Sequence, residues 1–296
     1  MQVILVMLIF CLTLFFYLHV MFHLKTSDDL EVFDINQPSK ETLEEVCDLR
    51  QPMRMDFSND NLENICQRSS ITSKYQTFDV NIRNVKEPVC DTGDVYAPLR
   101  WSNAVRVMDK DTKEKYLVEA NKKFLEETGI TKVYRDSDEL IRPYLTICSE
   151  YDYITGSKGV QTPFRYNVHY RNYFFVVSGG VKMKLAPPKS IKYLHPFKDY
   201  HNFEFRSPLN PWNVQDEYLD DFDKIKCLDV TVDKGQILFI PAYWWYSMEL
   251  QENTVVSAFK YDSAMSLVST SHHYVVRFLQ SHNIKRHKLH LLDKII

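Results

Sequence analysis

Short runs of aromatic and β-branched residues, separated by turn residues, fill the chain from about residue 140 and constrain its fold more than any other feature. The runs are Tyr144–Cys148, Phe164–Tyr170, Tyr173–Val177, Val181–Ala186, Cys227–Val232, Ile237–Ile240 and Thr254–Tyr261. Strands of this length, bounded by turn signals, are typical of a β-sandwich or a β-barrel. We therefore predict a β domain over residues 141–262, followed by a helical segment with a basic tail over 263–296.

The residues before this domain have a mixed pattern. Residues 25–38 are polar and read as a linker, and residues 39–140 are predicted to form a helical or mixed lead-in. Ser39 is a suitable N-cap for a first helix. A second helix is predicted over Lys113–Glu127, because apolar residues recur there at helical spacing and Gly129 follows as a helix stop. The apolar residues on its face are Tyr116, Leu117, Ala120 and Phe124.

The N-terminal segment is apolar over a long stretch. Val3–Phe22 contains twenty residues with no charge, no proline and no glycine. As a helix it would rise roughly 30 Å, which is about the thickness of a bilayer core. A cleaved signal peptide is the alternative, but the segment lacks a basic start and a small-residue cleavage site. We predict a single-pass membrane anchor over residues 1–24, with residues 3–22 in the membrane.

Composition excludes several classes of protein. The seven glycines form no dinucleotide-binding, P-loop or nucleophile-elbow motif, and the net charge of −3 gives no reason to expect nucleic-acid binding. The six cysteines form no C-x-x-C motif, and the chain has no N-glycosylation sequon. Both features favour a reducing compartment for the soluble part, such as the cytosol or the inside of a virion.

Two sequence blocks carry a family resemblance. The first is T-P-F-R-Y-N, followed by N-Y-F-F-V-V-S-G-G-V-K-M-K-L-A-P-P, within residues 162–188. The second is K-G-Q-I-L-F-I-P-A-Y-W-W-Y-S-M, residues 234–248. In order and separation they resemble the Jumonji-C family and its cupin-like relatives. The resemblance implies a double-stranded β-helix, a fold that usually carries an Fe(II)- and 2-oxoglutarate-dependent oxygenase.

The chain departs from this motif at the metal ligands. The family's two histidines and one aspartate correspond here to Arg165, Tyr246 and Asn167, respectively. The lysine that usually binds 2-oxoglutarate falls near Val181, and only Thr162 keeps the usual polar residue. An arginine stays protonated and offers no lone pair to a metal. We therefore predict a domain with no catalytic residues, no bound metal and no cofactor.

Three readings of the altered site stay open. Arg165 could pair with a buried acid and fill the pocket. Alternatively, Thr162, Arg165, Asn167 and Tyr246 could bind a small anion, which would make the domain a sensor. An atypical oxygenase could also use His169, Tyr246 and an unrecognised carboxylate, although His169 reads more simply as a partly exposed histidine at the rim.

The function that we predict is a membrane-anchored, catalytically inactive module that serves as a structural or protein-binding scaffold. Because the C-terminal helices of this family often dimerise, the resemblance also suggests a homodimer through Ser263–Ile296. The combination of an anchor with an altered site is similar to enzyme folds captured by large DNA viruses, which suggests a virion or viral membrane component.

Overall fold

The structure is a computed structural model that describes residues 2–87, 96–200 and 202–283. Its helices are α1 (Gln2–Leu24), α2 (Lys40–Asp48), α3 (Asp60–Cys66), α4 (Arg68–Lys74), α5 (Trp101–Lys110), α6 (Lys122–Glu127), α7 (Ile130–Ser137), α8 (Leu219–Phe222), α9 (Ala264–Ser269) and α10 (Ser271–Asn283), with short 3-10 helices at Pro188–Tyr193 and Asp216–Tyr218. Part of the predicted C-terminal segment, residues 284–296, lies outside the described residues.

Ten of the fifteen strands in the described part of the chain begin within residues 141–262, the domain that the sequence predicts to be β. The fifteen strands are β1 (Phe33–Ile35), β2 (Met53–Asp56), β3 (Asp79–Asn84), β4 (Ala97–Arg100), β5 (Tyr116–Val118), β6 (Thr146–Gly156), β7 (Arg165–Tyr166), β8 (Arg171–Ser178), β9 (Gly180–Ala186), β10 (Phe197–Asp199), β11 (Glu204–Arg206), β12 (Leu228–Asp233), β13 (Gln236–Phe239), β14 (Trp245–Leu250) and β15 (Val255–Ser263).

These strands form two sheets. One has nine strands in the order β1-β2-β13-β8-β15-β6-β5-β3-β4, and the other has six in the order β10-β11-β7-β14-β9-β12. Consecutive strands such as β8 and β9 lie in different sheets, and the chain crosses between them repeatedly. This is the cupin-type β architecture that the sequence predicts, with helices packed outside it.

Side-chain patterns explain how the sheets are buried. In β8, Phe174 and Val176 face the other sheet, while Tyr173, Phe175 and Val177 pack towards the helices. Burial on both faces requires the continuous apolar run seen in its sequence. In β9, by contrast, Val181, Met183 and Leu185 are buried while Lys182 points to solvent, so one face of the six-stranded sheet is exposed to solvent there.

The turn between β8 and β9 depends on glycine. Gly179 has a φ of 72°, and a side chain there would collide with Thr254. An L-amino acid would therefore be strained and sterically blocked at this position. The turn lets the apolar run end abruptly and the chain change sheets.

The predicted helix over Lys113–Glu127 is wrong at its start. Residues 116–118 are strand β5, whose Leu117 and Val118 are both buried, and the helix α6 begins only at Lys122. β5 pairs with β3 and β6, so sheet hydrogen bonds override an apolar spacing that also fits a helix. The predicted end is right: α6 stops at Glu127, and Gly129 has a φ of 73°.

The anchor predicted over residues 3–22 corresponds to α1. It has 23 residues and is long and apolar enough to cross a membrane. It is exposed along most of its length, and its last turn meets the β domain. There the His23 Nε2 and Ser263 Oγ atoms lie 3.3 Å apart, and the His23 ring lies 5.0 Å from that of Tyr170.

Candidate functional site

The structure brings together the three residues that the sequence resemblance predicts to stand at the ligand positions. Arg165 on β7 is the direct register partner of Tyr246 on β14. Two residues after Arg165, the Asn167 side-chain amide donates a hydrogen bond to the Tyr246 hydroxyl at 3.2 Å. The Arg165 guanidinium also lies over the Tyr246 ring, 5.3 Å from its centre. The three positions therefore share one site at the paired strands β7 and β14 of the six-stranded sheet.

Arg165 is engaged in a buried ion pair. Its Nη1 donates to Glu119 Oε2 at 2.7 Å, and the Arg165 and Glu119 side chains are only 9% and 4% exposed. Arg83 approaches the other carboxylate oxygen of Glu119, also at 2.7 Å. Of the alternatives left open by the sequence, the pairing of Arg165 with a buried acid is therefore present.

Electrostatics keep Glu119 charged despite its burial. Burial alone would raise the pKa of Glu119, but the charges of Arg165 and Arg83 outweigh it and lower the pKa from its ordinary 4.5 to about 2. Burial alone would lower the pKa of the Arg165 guanidinium, but the negative charge of Glu119 outweighs burial and raises this pKa above its ordinary value. Both groups are therefore ionised at neutral pH.

The ion pair belongs to a larger polar cluster. The Tyr96 hydroxyl donates to Glu119 at 3.1 Å and also contacts Glu204. Arg83 reaches Glu204 at 3.3 Å, and Arg206 lies 3.6 Å from the same carboxylate. Burial raises the pKa of Tyr96 well above its usual value, and the two carboxylates raise it further, so the phenol stays a hydrogen-bond donor. Hydrogen-bonded networks of this kind specify one arrangement of a buried site.

A special backbone segment holds Glu119 in place. The next residue, Ala120, has a φ of 58°, which is unfavourable for a residue other than glycine. The backbone N–H groups of Ala120 and Asn121 donate to the Asp152 carboxylate at 2.9 and 2.7 Å, and the Asn121 side chain donates to the Tyr153 carbonyl at 3.0 Å. These bonds fix the segment against β6 and direct Glu119 towards Arg165.

Glu119 is not among the site residues predicted from the sequence. The residue was assigned to the helix over 113–127, where a glutamate is an ordinary surface residue. Only the adjacent apolar pair Leu117 and Val118, both buried, could have indicated a strand covered on both faces. No short-range signal connects Glu119 to Arg165, because Glu119 follows a strand of the nine-stranded sheet and Arg165 lies on a strand of the six-stranded sheet.

A cavity remains beside the ion pair. It encloses about 190 Å³, and its walls include Arg165, Asn167 and Tyr246 together with Asp152 and Lys260. Burial raises the pKa of Asp152 to about 6, although the charge of Lys260 and the backbone N–H groups act in the opposite direction. The site is therefore not completely filled by side chains, and its walls carry charges of both signs.

Thr162 does not line this cavity. Its hydroxyl accepts a hydrogen bond from the backbone N–H of Met248 at 2.9 Å, and its own N–H donates to the Met248 carbonyl at 2.9 Å. Thr162 therefore joins two parts of the wall and lies apart from the cavity that Arg165, Asn167 and Tyr246 line.

His169 is buried, so its prediction as a partly exposed rim residue is wrong. Its Nδ1 lies 2.6 Å from Asp262, which also accepts bonds from the Tyr170 N–H and the Ser266 hydroxyl, both at 3.1 Å. Burial would raise the pKa of Asp262, but the hydrogen bond and charge of His169 and the other donors lower it. The arrangement fixes the start of α9 against the domain, since Ser266 lies in its first turn.

The residues at the motif positions do not fit an Fe(II) site. The Arg165 guanidinium has no lone pair to donate, and one of its N–H groups is directed at Glu119. The Asn167 amide nitrogen is directed at the Tyr246 hydroxyl. Near the position of the 2-oxoglutarate lysine, Val181 is buried and Lys182 pairs with Glu249 at 3.4 Å on the solvent-exposed face. Within residues 2–87, 96–200 and 202–283, no three His, Cys, Asp or Glu side chains are grouped to hold a metal ion.

Comparison with known families agrees with this architecture. The model of the cupin-like domain family matches residues 110–266, which is more than half of the chain. The chain belongs to the cupin-like domain family. The matched region begins just before β5, so it contains both sheets' central strands as well as Glu119, Arg165 and Tyr246. The resemblance to Jumonji-C and cupin-like proteins is confirmed.

Curated relatives match a shorter part of this cupin-like protein. HSPB1-associated protein 1 from rat and from human are each 31% identical to it over 103 residues, which is 34% of this chain. The zebrafish homolog of that protein is 25% identical over the same length. The matched part spans 22% of the rat protein and 21% of the human protein. The cupin-like chain therefore aligns with only about a fifth of these relatives.

Proposed function

We propose that the chain is a membrane-anchored cupin-like module that does not carry out Fe(II)/2-oxoglutarate oxidation and that acts through protein contacts. The observation that carries the proposal is the buried pair of Arg165 and Glu119 at 2.7 Å. It puts a fixed positive charge at the position of the first ligand, where an incoming Fe²⁺ would be repelled. Removing this charge would also leave the buried carboxylate of Glu119 with only Arg83 and Tyr96 to compensate it.

Membrane anchoring is supported by the composition of α1 and by its junction with the domain. The helix has no charged residue, and its last turn packs on the domain, with the Arg50 guanidinium 5.2 Å from the ring centre of Phe22.

A soluble part on the reducing side of the membrane is supported by the cysteines. Those that the structure describes are all unbridged, namely Cys11, Cys47, Cys66, Cys148 and Cys227.

A role in protein binding has two further supports. The relatives' name, HSPB1-associated protein 1, describes association with another protein, and we extend only this class of role to the present chain. In α10, Val275 and Leu279 are one helical turn apart and both are exposed. Exposed apolar residues on one face of α10 favour a homodimer through the C-terminal helices. The virion role stays a prediction from the sequence.

A small-anion sensor is the second candidate. It is favoured by the cavity of about 190 Å³, which opens beside Arg165, Lys122 and Lys260. It is disfavoured by the pairing of Arg165 with Glu119 and by the additional carboxylates of Glu150 and Asp152 in the same wall. A carboxylate or phosphate would have to compete with these acids.

Turnover and flotation assays test the two parts of the proposal separately. The full chain in detergent is incubated with Fe(II), ascorbate and 2-oxoglutarate, and succinate is measured beside an active Jumonji-C oxygenase. We expect succinate at the level of the reaction without protein, and iron-dependent succinate well above that level would overturn the inactive assignment. Anchoring is tested by flotation of carbonate-washed vesicles, in which the chain should stay with the lipid.

A further inference from the structure

An apolar groove lies where the last turns of α1 meet the β domain. Its volume is about 440 Å³, within the range of roughly 300–1,000 Å³ typical of small-molecule sites. Leu18 and Phe22 of α1 form one wall, Tyr144 and Leu145 of the loop before β6 form another, and Met265 of α9 closes the end. Unlike the cavity at Arg165, its surface is almost entirely apolar.

The loop before β6 displays an apolar side chain at its tip. Leu145 is 88% exposed, and Ile147 is also exposed. The backbone of Leu145 has a φ of 57°, a conformation that leucine rarely adopts. The neighbouring turn is fixed, because the Thr146 hydroxyl donates to the Pro143 carbonyl at 2.7 Å. A strained loop with an exposed leucine at its tip indicates a surface whose partner is outside the folded chain.

The length of α1 indicates where the groove lies relative to the bilayer. A helix of 23 residues is ~34 Å long, while the hydrocarbon core of a bilayer is ~30 Å thick. Counted from Gln2, Phe22 lies ~30 Å along the helix, where it leaves the hydrocarbon, and Leu18 lies ~6 Å before it, among the acyl chains. The groove therefore reaches from the outer acyl chains to the headgroups. Leu145, which faces the same groove, is held at that depth.

The groups around the groove suit this boundary. Tyr144 and Tyr170 line it, and tyrosine is enriched at membrane interfaces, where its ring meets lipid and its hydroxyl meets water. The Lys40 amine lies 5.0 Å from the ring centre of Tyr144, and the Arg50 guanidinium lies 4.7 Å from that of Tyr170. Lys40 can reach the headgroup layer while the ring of Tyr144 remains against lipid, whereas the Arg50 side chain is buried.

We propose that this groove binds an acyl chain of the bilayer that α1 crosses, with Leu145 inserted into the same leaflet. The inference rests on the proposed membrane anchoring and deepens it. The domain is then seated on the bilayer through α1, the loop before β6 and the start of α9. Its orientation on the membrane is set by this surface.

Photo-crosslinking tests the inference in the full chain. Benzoylphenylalanine replaces Leu145, and in a matched variant it replaces Leu219 of α8, which is 45% exposed and does not line the groove. Each variant is reconstituted in phosphatidylcholine vesicles, floated, irradiated and analysed by mass spectrometry for lipid adducts. We expect many-fold more lipid adduct at position 145 than at position 219.

The outcomes separate the inference from the anchoring on which it rests. A chain that floats but forms no more lipid adduct at 145 than at 219 overturns the groove and leaves anchoring intact. A crosslink from 145 to a second copy of the chain also overturns it, and assigns the surface to a dimer. A chain that does not float overturns anchoring itself, and the groove with it.

Discussion

Replacing Arg165 with methionine should destabilise the domain markedly, because it leaves a buried carboxylate with less compensating charge. Breaking a buried ion pair by removing one partner typically costs ~3–5 kcal/mol. Arg83 still approaches Glu119 at 2.7 Å, and Tyr96 still donates to it at 3.1 Å, so we expect the lower end, ~3 kcal/mol. For a chain of this size that corresponds to a fall in Tm of ~6–12 °C.

Near-UV circular dichroism of the full chain in detergent measures this change, since it follows the tertiary packing of the domain. Lys158→Met is the matched control, because Lys158 pairs with Glu252 at 2.9 Å on the surface, where the two side chains are 72% and 65% exposed. An exposed pair of this kind contributes ~0–1 kcal/mol. Adding Glu119→Gln to Arg165→Met should recover part of the loss, since the uncompensated charge is then absent.

The reasoning is refuted if Arg165→Met unfolds at the same temperature as Lys158→Met. The buried pair would then contribute nothing to the structure, and Arg165 would be available for a ligand. A double variant that is less stable than Arg165→Met would contradict the electrostatic explanation in another way. It would mean that Glu119 is needed for its contacts with Arg83 and Tyr96 more than for its pairing with Arg165.

Three further outcomes follow from the same contacts. The pKa of Glu119 falls from 4.5 to about 2 on folding, so the stability that its ionised carboxylate contributes is present above pH 4.5 and is lost as the pH falls through 2. Denaturant titrations between these pH values should show that the wild type loses up to ~3 kcal/mol more stability than Glu119→Gln. Equal losses in the two proteins would contradict the pairing. A variant that combines Arg165→His, Asn167→Asp and Tyr246→His should bind Co²⁺ and show its absorption bands, because the three positions converge. A variant that folds without binding Co²⁺ would show that these positions do not form a ligand site. Leu279→Asp should shift the detergent-solubilised chain from dimer to monomer in light scattering, whereas an unchanged mass would exclude this face of α10 as the dimer contact.

Much of the fold follows from local sequence patterns. The apolar run of β8 and the alternation of β9 predict strands with two and one buried faces, respectively, and both are present. In the segment around Leu117 the local pattern fits a helix equally well, and only pairing with β3 and β6 decides for a strand. Tertiary context overrides a weak local preference there.

The site could be predicted only in part for the same reason. The motif spacing identifies Arg165, Asn167 and Tyr246, and the structure brings them together. The partner of Arg165 could not be identified, because Glu119 reaches it only after a left-handed residue and the hydrogen bonds to Asp152 have fixed the loop. Long-range pairing of this kind leaves no periodic signal in the sequence.

Metal and co-substrate binding by the purified full chain would show directly whether the Arg165 site holds iron. The protein is equilibrated anaerobically with Fe(II) and 2-oxoglutarate, passed through a desalting column, and analysed for iron and for bound 2-oxoglutarate. The account predicts iron well below one equivalent and no retained co-substrate, because Arg165 and Glu119 already satisfy each other's charge where the metal would bind. One iron per chain, with 2-oxoglutarate retained beside it, would contradict the account.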